Sequence, residues 1–180
     1  MRDRATVMQT QGYVQVYTGD GKGKTTAALG LALRMMGAGK KVFLGQFIKG
    51  NEYNELKALQ RFSDLMTVEQ WGRGCFIRKQ PDPADIEAAE QGLLRAREVL
   101  QTKEYGLVIL DEACGAVKSS LFTVEELLDC ITSRRSEVEV VITGRNAPDE
   151  LCDYADLVTE CKALKHYFTK GVKARNGIEK

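Results

Sequence analysis

The sequence lacks a charge excess. Its 180 residues carry 26 Lys and Arg against 25 Asp and Glu, a formal net charge of +1, so nothing draws it strongly toward DNA, RNA or an anionic membrane. Long hydrophobic runs are also missing. The longest, such as Leu107-Val108-Ile109-Leu110, fall far short of the roughly 20 apolar residues of a membrane helix. The opening Met1-Arg2-Asp3-Arg4-Ala5-Thr6 has none of the apolar character of a secretory signal, and a cytoplasmic protein is the expectation. The five cysteines, Cys75, Cys114, Cys130, Cys152 and Cys161, are odd in number, scattered and without a Cys-x-x-Cys pair. That argues against a disulfide framework or a zinc ribbon. Small, reduced, buried residues are the simple reading. Cys152, Cys161 and His166 as metal ligands is the weaker one. No repeat, low-complexity run or linker interrupts the chain. Its length suits one domain, residues 1–180, with a tail over 1–11 and an irregular segment over 161–180.

What is present is an alternation of strand and helix signals, which predicts an α/β fold with a mostly parallel sheet flanked by helices. Strands are expected at 13–17, 41–47, 66–70, 107–110, 138–143 and 157–159. A helix over 24–37 is apolar nearly all round (Ala28, Leu31, Ala32, Met35) and is expected to be largely buried. Asp82 followed by Pro83 is a helix start. Behind it Ile86, Ala89, Leu93, Ala96 and Leu100 form one stripe. Thr123-Val124-Glu125-Glu126 is a capping box, with Val124, Leu127, Leu128 and Ile131 facing inward. Pro148 opens a short helix.

Between the first strand and the first helix lies Thr18-Gly19-Asp20-Gly21-Lys22-Gly23-Lys24-Thr25-Thr26. This is the setting of a phosphate-binding loop. Its glycines let successive N–H groups turn toward phosphate oxygens, and the helix start adds the positive end of its dipole. Lys24 is placed to bridge terminal phosphates, Lys22 adds a second charge, and the Thr25 hydroxyl is placed to ligate Mg²⁺. Thr18 stands where the usual loop has its first glycine, so the loop is shortened or substituted. Farther on, Leu107-Val108-Ile109-Leu110-Asp111-Glu112 is an apolar strand ending in two carboxylates, as a Walker B strand does. The residues alone leave open which acid serves the metal. They also leave open a P-loop ATPase or nucleoside kinase, and a nucleotide sensor without turnover. Trp71, Arg73 and Arg78 are better read as a loop beside a substrate than as a nucleic-acid patch.

Taken in order, further segments narrow the choice: Gln46-Phe47-Ile48-Lys49-Gly50, Gly72-Arg73-Gly74-Cys75-Phe76, Leu110-Asp111-Glu112, Thr143-Gly144-Arg145-Asn146-Ala147-Pro148, Lys165-His166-Tyr167, Gly171-Val172-Lys173-Ala174 and Gly177-Ile178-Glu179. With the phosphate loop they make a chain that resembles the P-loop ATP:corrinoid adenosyltransferases from about residue 12 onward. The resemblance implies a RecA-like P-loop fold. It implies an enzyme that moves the 5′-deoxyadenosyl group of ATP to cobalt(I) of a corrinoid and releases triphosphate. Carried over, Gly19, Asp20, Gly21, Lys22, Gly23, Lys24, Thr25 and Thr26 hold the nucleotide, Arg145 contacts nucleotide or a phosphate, and Thr25 and Glu112 hold Mg²⁺. Lys24 and Glu112 are the expected catalytic pair. Better-known members press a Phe and a Trp on the corrin where this chain has Cys75 and Ile77, and Phe76 between them is the expected corrin-facing aromatic. A homodimer, an electron-donating flavoprotein or other reductant, and no nucleic-acid or membrane partner complete the expectation.

Overall fold

The computed structural model describes residues 11–50, 53–74 and 80–179. Six strands form one sheet: β1 (Val14–Thr18), β2 (Val42–Gln46), β3 (Met66–Gln70), β4 (Leu107–Asp111), β5 (Glu139–Thr143) and β6 (Leu157–Glu160). Their order is β3-β2-β4-β5-β1-β6, and every pairing is parallel. Parallel sheets are covered on both faces, so their strands read as continuous apolar runs. β2 and β4 are buried along their whole length.

Alternation sorts the side chains into two cores. On one face Val42, Leu44, Leu107, Ile109 and Val141 pack with Ala28, Ala32 and Met36 of α1 (Lys24–Gly37). On the other, Phe43, Val108, Leu110, Val140 and Ile142 pack with α3 (Pro83–Leu100), α5 (Val124–Thr132) and their neighbours. Because all strands run the same way, their C-terminal ends share one edge. The connection from β1 through α1 to β2 passes over β5 and β4. The phosphate loop therefore opens onto the same edge as the ends of β4 and β5.

The bounds of α1 match the expectation. Its burial does not: Leu33 is 57% exposed, and only Lys24, Ala28, Ala32 and Met36 are buried. The helix covers the sheet with one face, and among the described residues nothing covers its other face. Both helix starts read from sequence carry reciprocal capping boxes, Asp82 with Asp85 and Thr123 with Glu126. Two short helices escaped the periodicity reading: α2 (Asn54–Leu59) and α4 (Ala113–Lys118). At six residues each they are too short to show a stripe. α6 (Asp149–Tyr154) follows Pro148 as expected. Beyond Cys161 the chain is irregular except for a 3₁₀ turn at Tyr167–Lys170.

Trp71 is partly buried and packs against the core. Its ring lies 4.9 Å from that of Phe47 and 6.0 Å from that of Phe43. It fits because two glycines face it. A Cβ on Gly45 of β2 would stand 2.2 Å from the ring, and one on Gly92 of α3 2.5 Å. Arg73 pairs with Asp82 at 2.9 Å, while Arg78 lies outside the described residues.

Alanine normally stabilises a helix interior over glycine by about 1 kcal/mol. At Gly92 the rigid indole reverses that sign, since overpacking a core costs about 1–3 kcal/mol. Gly92→Ala is expected to lower the unfolding midpoint in a urea titration. Gly30→Ala, in α1 where a Cβ meets nothing within 4 Å, is expected to raise it. A Gly92→Ala chain as stable as its parent would contradict the packing described for Trp71.

Candidate active site

The phosphate loop leaves β1 at Thr18 and turns through two left-handed glycines, Gly19 at φ 96° and Gly23 at φ 118°. Gly23 is also the N-cap of α1 and supplies no side chain to the helix start, which leaves N–H groups there for an anion. One loop amide is already committed: Gly21 N–H donates to the Cys161 carbonyl at 2.7 Å. Side chains at Gly19 or Gly21 would drive a Cβ to 2.5 or 2.7 Å from that same oxygen. The segment after β6 thus abuts the loop from outside, and the Ala147 N–H ties the β5–α6 connection to Thr18 Oγ1 at 3.1 Å.

Lys24 is 7% exposed. Its ammonium folds back over the loop and donates to the Gly19 carbonyl at 2.6 Å and the Gly21 carbonyl at 2.8 Å. Burial lowers its pKa, and the nearby Arg145 guanidinium lowers it further. Both effects disfavour a charge that an arriving anion would favour.

Four side chains from three chain segments converge on Asp111, which has no exposed surface. Its Oδ1 accepts from Thr25 Oγ1 at 2.8 Å and from Thr143 Oγ1 at 2.6 Å. Its Oδ2 accepts from Lys49 Nζ at 2.7 Å and from Gln46 Nε2 at 3.0 Å. Burial pushes the Asp111 pKa up, but attraction to Lys49 and the donors outweighs it and holds the carboxyl below its usual range. Lys49 balances the same way: burial lowers its pKa and Asp111 raises it more.

Glu112 is the next residue, in a left-handed conformation at φ 59°. Its N–H donates to Thr143 Oγ1 at 3.0 Å. Burial raises its carboxyl pKa, Asp111 raises it further, and Lys49, Lys24 and Arg145 oppose them. The carboxylate in contact with Thr25 is therefore Asp111, with Glu112 beside it in a field of three cations.

The remaining expected residues fall as follows. Asp20 and Thr26 are exposed at the loop and on α1. Arg145 is exposed on the β5–α6 connection, near enough to Lys24 and Glu112 to affect both. Lys22 points away from the loop interior, to Glu179 at 2.6 Å and Tyr167 at 2.7 Å. Phe76, with Cys75 and Ile77, lies outside the described residues. The thiols of Cys114 and Cys130 are buried and pushed up to about 12, in keeping with small core residues. Among the described residues no three or more His, Cys, Asp and Glu side chains gather as a metal-holding group, so Cys152, Cys161 and His166 do not form one.

Sequence reading assigned no role to Gln46, Lys49, Thr143 or Glu179. The first two did leave a signal: a glutamine ending an otherwise apolar buried strand, and a lysine three residues later.

Comparison with known proteins agrees with this geometry. A flagellar accessory protein, FlaH, from Methanocaldococcus jannaschii shares the fold with a TM-score of 0.58 at 13% identity, over 84% of this chain and 71% of that one. The sheet and loop thus follow the RecA-like P-loop pattern. A corrinoid adenosyltransferase of Pseudomonas aeruginosa is 35% identical over 176 residues, 97% of this chain and 87% of that protein. Corrinoid adenosyltransferases of Escherichia coli and Salmonella typhimurium are each 34% identical over 180 residues, 97% of this chain and 89% of theirs. The profile of the family described as ATP:corrinoid adenosyltransferase BtuR/CobO/CobP matches residues 10–179. With a match of that extent laid over this phosphate loop and acidic strand end, the chain belongs to the ATP:corrinoid adenosyltransferase family of enzymes.

Proposed function

We propose that this enzyme transfers the 5′-deoxyadenosyl group of ATP to cobalt(I) of a corrinoid, in making or salvaging adenosylated corrinoids. The observation that carries the reading is the pairing of a Lys24-capped phosphate loop with a buried acid bonded to Thr25, in a chain of this family. In the reaction the cobalt(I) electron pair forms the bond to the 5′-carbon. The bond from that carbon to oxygen breaks, its pair leaves on inorganic triphosphate, and cobalt is formally oxidised by two electrons.

The leaving group carries about four negative charges, so its stabilisation is electrostatic. Lys24 exchanges two neutral carbonyls for phosphate oxygens, and the amides at the start of α1 add donors. The residues present also suit Mg²⁺. Thr25 spends its proton on Asp111, which leaves its oxygen lone pairs free for a cation. Asp111 already accepts four hydrogen bonds, so Glu112 is the carboxylate left to join Thr25. When bound there, Mg²⁺ would offset charge on the leaving triphosphate. Arg145 contacts the nucleotide from the β5–α6 connection, and Phe76 presses on the corrin. The family resemblance carries a homodimer, a cytoplasmic location and a flavoprotein or other reductant into the same reading.

Lys24→Ala is expected to weaken ATP binding and slow transfer by at least about tenfold, or about 1.4 kcal/mol. Steady-state kinetics of the purified variant check it, and unchanged constants would remove Lys24 from the role. Glu112→Gln is expected to keep the fold but to need more Mg²⁺, because an amide is a poorer ligand for a hard cation. Superimposable Mg²⁺ titrations of variant and parent would reject Glu112 as a ligand.

The bond that breaks separates this reading from an ATPase or kinase. Anaerobic incubation with ATP, Mg²⁺ and reduced corrinoid is expected to give triphosphate in step with adenosylated corrinoid. Without the corrinoid, ATP is expected to persist. Stoichiometric ADP on a phosphate-resolving column, with no cobalt–carbon product in the visible spectrum, would overturn the assignment.

A further inference from the structure

Lys22 sits in the middle of the phosphate loop, yet its ammonium is engaged elsewhere. It donates to Glu179 Oε1 at 2.6 Å and to the Tyr167 hydroxyl at 2.7 Å. Tyr167 also hydrogen-bonds Glu179. Arg175 closes the cluster from the other side, with its backbone N–H on Glu179 Oε2 at 2.9 Å and Nη2 on Oε1 at 3.1 Å. The Tyr167 ring lies between the two cations, 5.4 Å from Lys22 Nζ and 4.9 Å from the Arg175 guanidinium carbon.

The same segment is tied at two more points. Its beginning takes the Gly21 N–H on the Cys161 carbonyl at 2.7 Å. Near its end, Asn176 accepts from Asn54, the first residue of α2, at 2.5 Å. Its contacts thus run from the end of β6 past the phosphate loop to the helix after β2.

We propose that Glu179 is a positioning residue, which through Lys22 fastens the C-terminal segment to the phosphate loop and sets the loop's shape before nucleotide arrives. Lys22 serves this tie instead of gripping phosphate. An isolated exposed ion pair contributes little, but here one carboxylate gathers a lysine, an arginine and a phenol, so ordering one partner orders the others. Fixing a glycine-rich loop in advance removes an entropy cost that ATP binding would otherwise bear. A triphosphate that recruited Lys22 would have to displace both Glu179 and Tyr167. Lys24 leaves only neutral carbonyls.

This inference rests on the reading that the loop binds ATP, and its test needs no corrinoid. In the full-length chain, Glu179→Gln, Lys22→Met and the double variant are compared by calorimetric titration with Mg²⁺ and ATP. Tryptic cleavage at Lys170, Lys173 and Arg175 is timed alongside. Each single variant is expected to weaken ATP about three- to tenfold and to speed cleavage of the segment. The double variant is expected to be no worse than the weaker single one. In the transfer assay Glu179→Gln is expected to raise KM for ATP and leave kcat at saturation unchanged, a split that general misfolding would not give. The proposal is overturned if Glu179→Gln binds ATP as tightly as the parent or more tightly. It is equally overturned if the two losses multiply in the double variant, which would make Lys22 a phosphate ligand in its own right. A parent that binds ATP but transfers no adenosyl group would sink the proposed reaction and leave this result standing.

Discussion

The site depends on one buried charge. Moving a carboxylate out of water costs several kcal/mol even after the protein relaxes, and Asp111 has no exposed surface at all. The cost is offset by an ammonium, two hydroxyls and an amide that come from four places: Lys49 after β2, Thr25 at the start of α1, Thr143 at the end of β5 and Gln46 at the end of β2. None of these donors can drift without leaving a buried acceptor short, so the carboxylate locks strand ends and phosphate loop into one register. The same saturation makes Asp111 a poor candidate for direct metal contact. Two carboxylate oxygens offer about four acceptor positions, and all are taken. Asp111 orients the hydroxyl of Thr25, and under the proposed function its neighbour Glu112 is the carboxylate that would meet the cation.

Delivering Lys49 to that carboxylate requires an unusual backbone. Ile48 adopts φ 65°, a conformation rare for a β-branched residue, and Lys49 N–H folds back to the Phe47 carbonyl at 2.6 Å. Glu112, on the far side of Asp111, is also left-handed at φ 59°. Residues held this way cost on the order of 1–3 kcal/mol each and persist only where their surroundings over-determine them. Here the surroundings are crowded. A Cβ on Gly72 would meet the Ile48 carbonyl at 2.2 Å, and one on Gly115 would meet the Ile48 Cδ1 and a Glu112 oxygen at 3.2 Å. The turns after β2, β3 and β4 hold each other in shape, and the strain aims Lys49 and Glu112 at the edge where the phosphate loop opens.

Local signals in the sequence carried most of the architecture. The helix starts at Asp82 and Thr123, the apolar run up to Asp111 and the glycine turn from Gly19 to Gly23 are each local in the sequence, and the structure has a helix, a strand and a turn at those places. The unread parts are pairings between distant residues. Lys49 reaches Asp111 across 62 positions, and Lys22 reaches Glu179 across 157. No periodicity records such meetings. The outward face of α1 went unread for a related reason. Apolar residues all round a helix do not say whether a second layer exists to cover them, and Leu33 is left in solvent. Trp71 lay beside two arginines and looked like a loop residue, because its pocket is the absence of side chains at Gly45 and Gly92.

The cations around the loop differ in how easily an anion can claim them. Lys49 faces a fully buried carboxylate, and drawing it away would strand that charge in a medium where an unpaired ion is strongly destabilising. Lys22 faces an acid that Arg175 also holds, so its release leaves Glu179 partnered but breaks the tie to the loop. Lys24 faces two carbonyl oxygens, which carry only partial charge. An ammonium loses less by leaving the partial charge of a carbonyl oxygen than by leaving the full charge of a carboxylate. Among these three lysines, the proposed triphosphate would draw Lys24 at least cost, without disturbing either the Asp111 knot or the C-terminal tie. In the proposed reaction the loop would thus bind and release a highly charged leaving group while the two carboxylate-centred clusters beside it hold their shape.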